Sequence, residues 1–128
     1  MKIAISTSGT SIDAPYDPRF GRATRFCLYD EGNGDWETIP NPAVEASGGA
    51  GVQAARLIAQ EGVSVVISGA FGPNAFDTLD TAGIKMYLAP PGENRTVSDL
   101  IKAYHDHQLE QAATPSRGGQ RGGRRRRA

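Results

Sequence analysis

The chain has 128 residues, enough for one compact domain and too few for two ordinary ones. Its formal net charge of zero conceals a division: residues 1–113 hold all fourteen acids against eight Lys and Arg, a net of −6, and the other six arginines fall between Arg117 and Arg127. The acidic body argues against a nucleic-acid-binding fold surface, the lone Cys27 excludes an internal disulfide and any multi-thiolate zinc site, and no segment approaches the roughly 18 apolar residues of a membrane span.

The opening MKIAIS passes straight into strand-like sequence without the pattern of a signal peptide, so the expectation is a soluble, cytoplasmic protein. Ile3 and Ile5 alternate as a strand over Lys2 to Ser6 requires. A loop of about fifteen residues follows, carrying Gly9, Pro15, Pro18 and Gly21, and loops that long in a small domain are usually functional or disordered. Arg25 to Glu31 reads as a second strand, Asn33-Gly34 as a tight hairpin turn, and DWETIP as the returning antiparallel strand.

From residue 47 glycines lead into a helix with Val52, Ala55, Ile58 and Ala59 on one face and Gln53, Arg56 and Gln60 opposite. Val63 to Ser68 is nearly all apolar, the mark of a central parallel strand covered on both sides. The next helix starts near Pro73, lines up Ala75, Leu79 and Ala82, and stops at Gly83. IKMYLA is a fifth strand, and Thr96 is the N-cap of an amphipathic helix with Val97, Leu100, Ile101 and Tyr104 on its apolar face. Residues 114–128, beginning at Thr114, hold no apolar side chain besides the final alanine and are expected to be a disordered Arg/Gly-rich tail, separate from a domain over residues 1–113.

The order βββ then αβαβα predicts an α/β domain of three layers, α/β/α, around a mixed five-stranded sheet. With the meander on one side of the first strand and the crossover strands on the other, strands one and four become neighbours at a reversal of winding. Such a switch point leaves a ligand crevice at the carboxyl ends of the strands. The loops leaving those ends are DPRFGRAT and SGAFGPN.

RFGRATRF (Arg19 to Phe26), Asn41-Pro42, GAGVQAARLI (Gly49 to Ile58), GVSVVISGAFGPNAF (Gly62 to Phe76) and AGIKMYLA (Ala82 to Ala89) occur in order and at compatible spacing. In these the chain resembles the dinitrogenase iron-molybdenum cofactor biosynthesis family, the small NifX/NafY-like domains, from Met1 to about Leu109. The resemblance implies a ribonuclease-H-like motif with sheet order 3-2-1-4-5. It also implies non-enzymatic binding or carriage of a metal-sulfur cofactor or precursor, with donor and acceptor proteins as partners. The family often has His immediately before Phe-Gly, where this chain has Arg19. A guanidinium cannot ligate a metal but can hold an anion through its planar fork of donors, so an iron-sulfur or molybdenum-containing sulfide cluster would be bound mainly outer-sphere.

Arg19 and Arg22, flanking Phe20-Gly21, either meet that anion or form ion pairs with Asp13, Asp17 or Asp30. Arg25, at a strand entry, reads as structural. Gly48, Gly49 and Gly51 precede a helix N-terminus, where free N–H groups favour an anion, and are read as a flexible cover over the crevice. Ser68, Gly69, Phe71, Gly72, Pro73 and Asn74 bring small residues and backbone donors opposite the arginine loop, although Gly72-Pro73 is also ordinary helix-start chemistry. The expected binding set is Arg19, Phe20, Gly21, Arg22, Gly49, Gly51, Ser68, Gly69, Phe71, Gly72 and Asn74. No metal ligand is assigned: Cys27 reads as core, and His105 and His107 as a solvated helix end. No carboxylate or triad pattern supports catalysis. Two other readings stay open: a nucleic-acid-associated adapter working non-specifically through the tail, and a phosphate- or nucleotide-binding regulatory domain, although the P-loop Lys-Ser/Thr is missing.

Overall fold

A computed structural model describes residues 1–45, 48–90 and 95–115. The tail expected to be disordered lies, from residue 116 on, outside the described residues. Among the described residues the strands β1 (Lys2–Thr7), β2 (Arg25–Asp30), β3 (Trp36–Pro40), β4 (Val65–Ser68), β5 (Lys85–Leu88) and β6 (Glu110–Gln111) form one mixed sheet. Its order is β3-β2-β1-β4-β5-β6, so the expected 3-2-1-4-5 arrangement gains a sixth strand at one edge. The sheet is therefore six-stranded, not five-stranded. Both β6 residues are exposed and neither is apolar, and only backbone pairing with Tyr87 and Leu88 makes this segment a strand.

β1 is antiparallel to β2 and parallel to β4, which is the reversal of winding inferred from the sequence. Alternation along these strands supplies two cores. Ile3, Ile5, Cys27, Val65 and Ile67 pack on one face with Leu100 and Ile101 of α3 (Val97–His105). Ala4, Phe26, Leu28, Val66 and Met86 pack on the other with Ala54, Ala55 and Ile58 of α1 (Ala50–Gln60) and Ala75 and Leu79 of α2 (Pro73–Thr81). Ile3, Ile5 and Ile67 are fully buried, each contributing about 2–3 kcal/mol by removal from water.

The helices begin and end for local reasons. α1 follows Gly49, whose φ of 71° is the left-handed conformation that favours glycine. α2 starts with Pro73 in its first turn and stops at Gly83, φ 79°. α3 has a capping box in which Thr96 Oγ1 accepts from the Asp99 N–H at 3.1 Å and the Thr96 N–H donates to Asp99 Oδ2 at 3.0 Å. The Thr96 backbone donor, with its hydroxyl, holds the Asp99 carboxyl below the usual carboxylate range. Two helix faces differ from the periodic reading. α1 buries Ala54 and leaves Ala59 exposed, because the helix is turned toward α2, and Ala82 is exposed because the helix has already ended there.

The long loop after β1 is stitched down. Isolated bridges join Thr7 to Tyr16, Pro15 to Thr96 and Arg19 to Ala70, while the Val97 and Ser98 N–H groups donate to Ala14 and Ile12 at 2.9 and 2.8 Å. This pins the segment around Phe20 to the carboxyl ends of β1 and β4.

Candidate functional site

An open cleft of about 320 Å³ lies at the carboxyl end of the sheet, where the loops leaving β1 and β4 meet the start of α1. One wall is Phe20, Gly21 and Arg22; the second is Gly49 to Val52; the third is Ala70 and Gly72 to Ala75. The cleft thus sits between two helix N-termini. Neither helix has a side-chain cap, and neither has an acidic residue in its first turn. The helical ladders open with Gln53 N–H donating to Gly49 O at 3.0 Å and Phe76 N–H to Gly72 O at 2.8 Å. Ahead of those bonds come the N–H groups of Ala50, Gly51, Val52, Asn74 and Ala75, all from residues lining the cleft. Each helix end adds about half a positive charge, and Arg22 adds a whole one.

Close packing accounts for Gly21 and Gly51. A Cβ on Gly21 would lie 2.8 Å from the Gly51 nitrogen and 2.9 Å from its Cα, so the arginine loop rests directly on the first turn of α1. A Cβ on Gly51 would lie 3.1 Å from the Ala75 Cβ, so the two helix starts nearly touch. Gly49 and Gly51 both line the cleft, and a Cβ on Gly49, unlike one on Gly51, would meet nothing within 4 Å. The buried Asn41 holds the opposite side of the loop: its Nδ2 donates to Ala23 O at 2.8 Å and Gly21 O at 3.3 Å, and its Oδ1 accepts from Ala43 N–H at 3.1 Å. Sequence reasoning noted Asn41 only as part of a motif; a buried amide after a strand, next to a glycine-rich loop, is the signal for such a brace.

The residues expected to bind separate into two groups. Phe20, Gly21, Arg22, Gly49, Gly51, Gly72 and Asn74 line the cleft, whereas Arg19, Ser68, Gly69 and Phe71 are absent from its lining. Arg19 turns to Asp17, whose carboxylate accepts from the Arg19 backbone N–H at 2.9 Å and from Nε and Nη2 at 3.2 Å each. Asp17 is itself nearly buried and anchored to β1 through its backbone N–H on Ser6 O at 2.8 Å. Ser68 is buried and accepts a hydrogen bond from Ser6 Oγ at 2.8 Å, tying the ends of β1 and β4. Gly69 lets Pro18 cross over it, since a Cβ there would meet Pro18 Cβ at 2.7 Å. Phe71 is fully buried under the cleft, with Phe20 between it and Phe26 at centroid distances of 5.4 Å on both sides. Arg22 is exposed at the mouth and donates from Nη1 to Val44 O at 3.2 Å. Arg25 bonds across to Thr38, through Nε to Oγ1 and Nη2 to O at 3.3 Å each, in keeping with a structural role.

Ala50, Val52, Ala70 and Ala75 line the cleft without having been singled out as binding residues. Small apolar residues that contribute backbone leave little trace in a sequence. Among the lining residues described there is no Cys, His, Asp or Glu. Cys27 is buried in β2 on the other face of the sheet, and burial pushes its thiol up to about 11. His105 ends α3 and meets the Glu31 carboxylate, and His107 follows with a φ of 58°. No group of three or more His, Cys, Asp or Glu able to hold a metal occurs among the described residues.

Residues 1–107 match the family model described as dinitrogenase iron-molybdenum cofactor. An uncharacterized protein of Methanocaldococcus jannaschii is 31% identical over 113 residues, covering 86% of this chain and 90% of that one. Among solved structures, the apo form of the orange protein from Desulfovibrio gigas is 36% identical with a TM-score of 0.85, over 91% of this chain and 96% of that chain. A Thermotoga protein provisionally described as a NifB protein, of the DUF35 family, is 33% identical with a TM-score of 0.78, over 92% and 98%.

Proposed function

The chain belongs to the dinitrogenase iron-molybdenum cofactor family, and on that premise we propose that it is a non-enzymatic carrier of an anionic metal-sulfur species, passed between donor and acceptor proteins. The observation that carries this reading is the pair of uncapped helix N-termini facing one cleft that has Arg22 at its mouth and no acidic side chain on its described lining. Such a surface favours an anion through backbone donors and two helix dipoles. Its described lining offers no thiolate, imidazole or carboxylate to a metal. A cargo whose metals are already saturated by sulfide fits this donor set, because sulfide edges accept N–H hydrogen bonds and the overall negative charge meets the local field. Phe20, seated on the aromatic floor, gives the cleft a rigid base.

Arg19 takes the second of the two roles that the sequence left open, an ion pair with Asp17. Its guanidinium is held by Asp17 in a two-pronged contact and lies outside the cleft lining, to which Arg22 belongs. The Asp17 to Arg19 pair instead shapes the loop that carries Phe20 to Arg22.

The reading is tested by anaerobic incubation of the purified protein with tetrathiomolybdate or an iron-sulfide species, followed by gel filtration. Visible charge-transfer absorption should co-elute with wild-type protein and be weakened in Arg22→Gln. Absence of co-eluting colour would remove the carrier reading. Thermal stabilisation by a nucleotide but not by a thiometallate would favour a phosphate-binding regulatory domain instead.

A further inference from the structure

α3 ends in a turn that helical spacing alone does not anticipate. His105 closes the helix, and His107 takes the left-handed conformation at φ 58°, which is uncommon for a residue other than glycine. Its N–H donates to Tyr104 O at 3.1 Å and the Gln108 N–H to Ala103 O at 2.9 Å, the bonding of a left-handed helix ending. The two imidazoles would lie on opposite sides of a continuing helix. The turn instead brings both to one cavity of about 300 Å³, lined with them by Glu31, Tyr87, Tyr104 and Leu109. The cavity lies on the α3 face of the sheet, where Tyr29, Tyr87, Tyr104 and Leu109 pack against the core of Ile3, Ile5 and Ile67. It shares no described lining residue with the cleft.

Its walls are aromatic and one corner is acidic. Tyr87 and Tyr104 meet edge to face at a centroid distance of 5.1 Å with their planes 79° apart, so the two rings stand as perpendicular walls. His105 sits between Tyr104 and Tyr29, at centroid distances of 5.9 and 6.3 Å, and its Nε2 meets the Glu31 carboxylate. The Glu31 N–H donates to Met1 O at 2.9 Å, which ties this acid to the start of β1. Among the described lining residues there is no Lys or Arg. Burial, and after it Tyr87 and Glu31, hold the Tyr104 phenol above its usual range, so this ring stays neutral beside a negative group.

Such a lining suits a cation with an apolar shell. Aromatic faces carry negative charge density and attract an ammonium group within about 6 Å of the ring centroid, and a carboxylate adds a full opposite charge. A phosphorylated ligand would meet Glu31 without a Lys or Arg on the described lining to offset it. A bare metal ion would need three or more His, Cys, Asp or Glu placed to hold it, and the described residues contain no such group. We propose that this cavity binds an alkylated ammonium group, of the choline or trimethyl-lysine kind, between Tyr87 and Tyr104 with Glu31 as its counter-charge. The site is separate from the anion cleft and does not rest on the carrier reading.

The test titrates the full chain, ¹⁵N-labelled, with choline chloride and with dimethylbutanol, the uncharged carbon isostere of choline, at an ionic strength held constant with potassium chloride. Choline should give saturable shifts at the amides of Glu31, Tyr87, His107 and Leu109 and bind roughly tenfold more tightly than the alcohol. Glu31→Gln should weaken choline binding roughly three- to tenfold. Tyr87→Leu should weaken it roughly tenfold, whereas Tyr87→Phe, which keeps the ring and shows that the fold survives a change at this position, should stay within about twofold of wild type. A short peptide carrying trimethyl-lysine should compete for the same amides. Tighter binding of the peptide than of choline assigns the group to a protein side chain and weaker binding assigns it to a free small molecule, and either result supports the site. Choline binding no tighter than the alcohol, choline shifts that miss these amides, or affinity unchanged in both Glu31→Gln and Tyr87→Leu would overturn the proposal.

Discussion

Gly72→Asp should stabilise the fold and weaken anion binding at the same time. Gly72 is the N-cap of α2 with φ −66° and ψ 168°, the extended conformation that a capping aspartate adopts, and a Cβ there meets nothing within 4 Å. The new carboxylate would accept from the first-turn N–H groups and complement the helix dipole, a gain of about 0.5–1 kcal/mol. For a domain of this size that raises the melting temperature by about 2–5 °C. In the cleft the same carboxylate occupies the donors and places a negative charge near the ligand. At about 5 Å and an effective dielectric of about 40, repulsion of a dianion amounts to about 3 kcal/mol, roughly a hundredfold loss of affinity. Differential scanning calorimetry and an anaerobic tetrathiomolybdate titration read the two effects separately. Gly72→Asn, which caps without charge, should give a similar melting temperature and only a several-fold loss. Should Gly72→Asp bind tetrathiomolybdate within about threefold of wild type, the reasoning that places the anion between the two helix starts is wrong.

Gly21→Ala should lower stability by about 1–3 kcal/mol in urea unfolding, because the added carbon meets the Gly51 backbone at 2.8 and 2.9 Å and neither element can yield without opening the cleft. An unchanged midpoint would show that the loop does not rest on α1 as described. With burial raising its thiol to about 11, Cys27 should resist a thiol reagent at pH 8 in the native protein and react on unfolding. The folded chain keeps this proton where the unfolded chain loses it, so stability should fall by about 2–3 kcal/mol as pH rises from about 9 to 11, and Cys27→Ala should remove that part of the slope. Thr96→Ala, which breaks the capping box of α3, should cost about 1 kcal/mol and leave tetrathiomolybdate affinity unchanged; a loss of affinity would contradict a cleft built without α3.

Much of the architecture could be read from the sequence where hydrophobic spacing and turn chemistry agreed. Val63 to Ser68 had to hold a strand covered on both sides, observed as Val65–Ser68, Gly83 had to stop a helix, and the switch point between β1 and β4 followed from element order. β6 was invisible because Glu110 and Gln111 contain no apolar signal and owe their conformation to Tyr87 and Leu88. At the site, the loops were legible but the division of labour within them was not. Arg19 and Arg22 look alike in sequence, yet a nearly buried Asp17 two residues away captures the first while the second stays at the cleft. Phe71 and Ser68 sit in a stretch of binding-loop character, but both are buried, Ser68 as the last residue of β4 paired with Leu88 and Phe71 packed against Phe20. Conversely, Ala50, Val52 and Ala75 contribute through backbone position, which residue type does not report.

The central claim, that backbone donors of two helix starts hold an anionic metal-sulfur species, is tested most directly by an anaerobic ¹⁵N-NMR titration of wild-type protein with tetrathiomolybdate. The account predicts saturable shifts concentrated on the amides of Ala50, Gly51, Val52, Asn74 and Ala75, with the Arg22 side-chain signal moving in step. Shifts confined to the far end of the sheet around Glu31 and His105, or none at saturation, would contradict it.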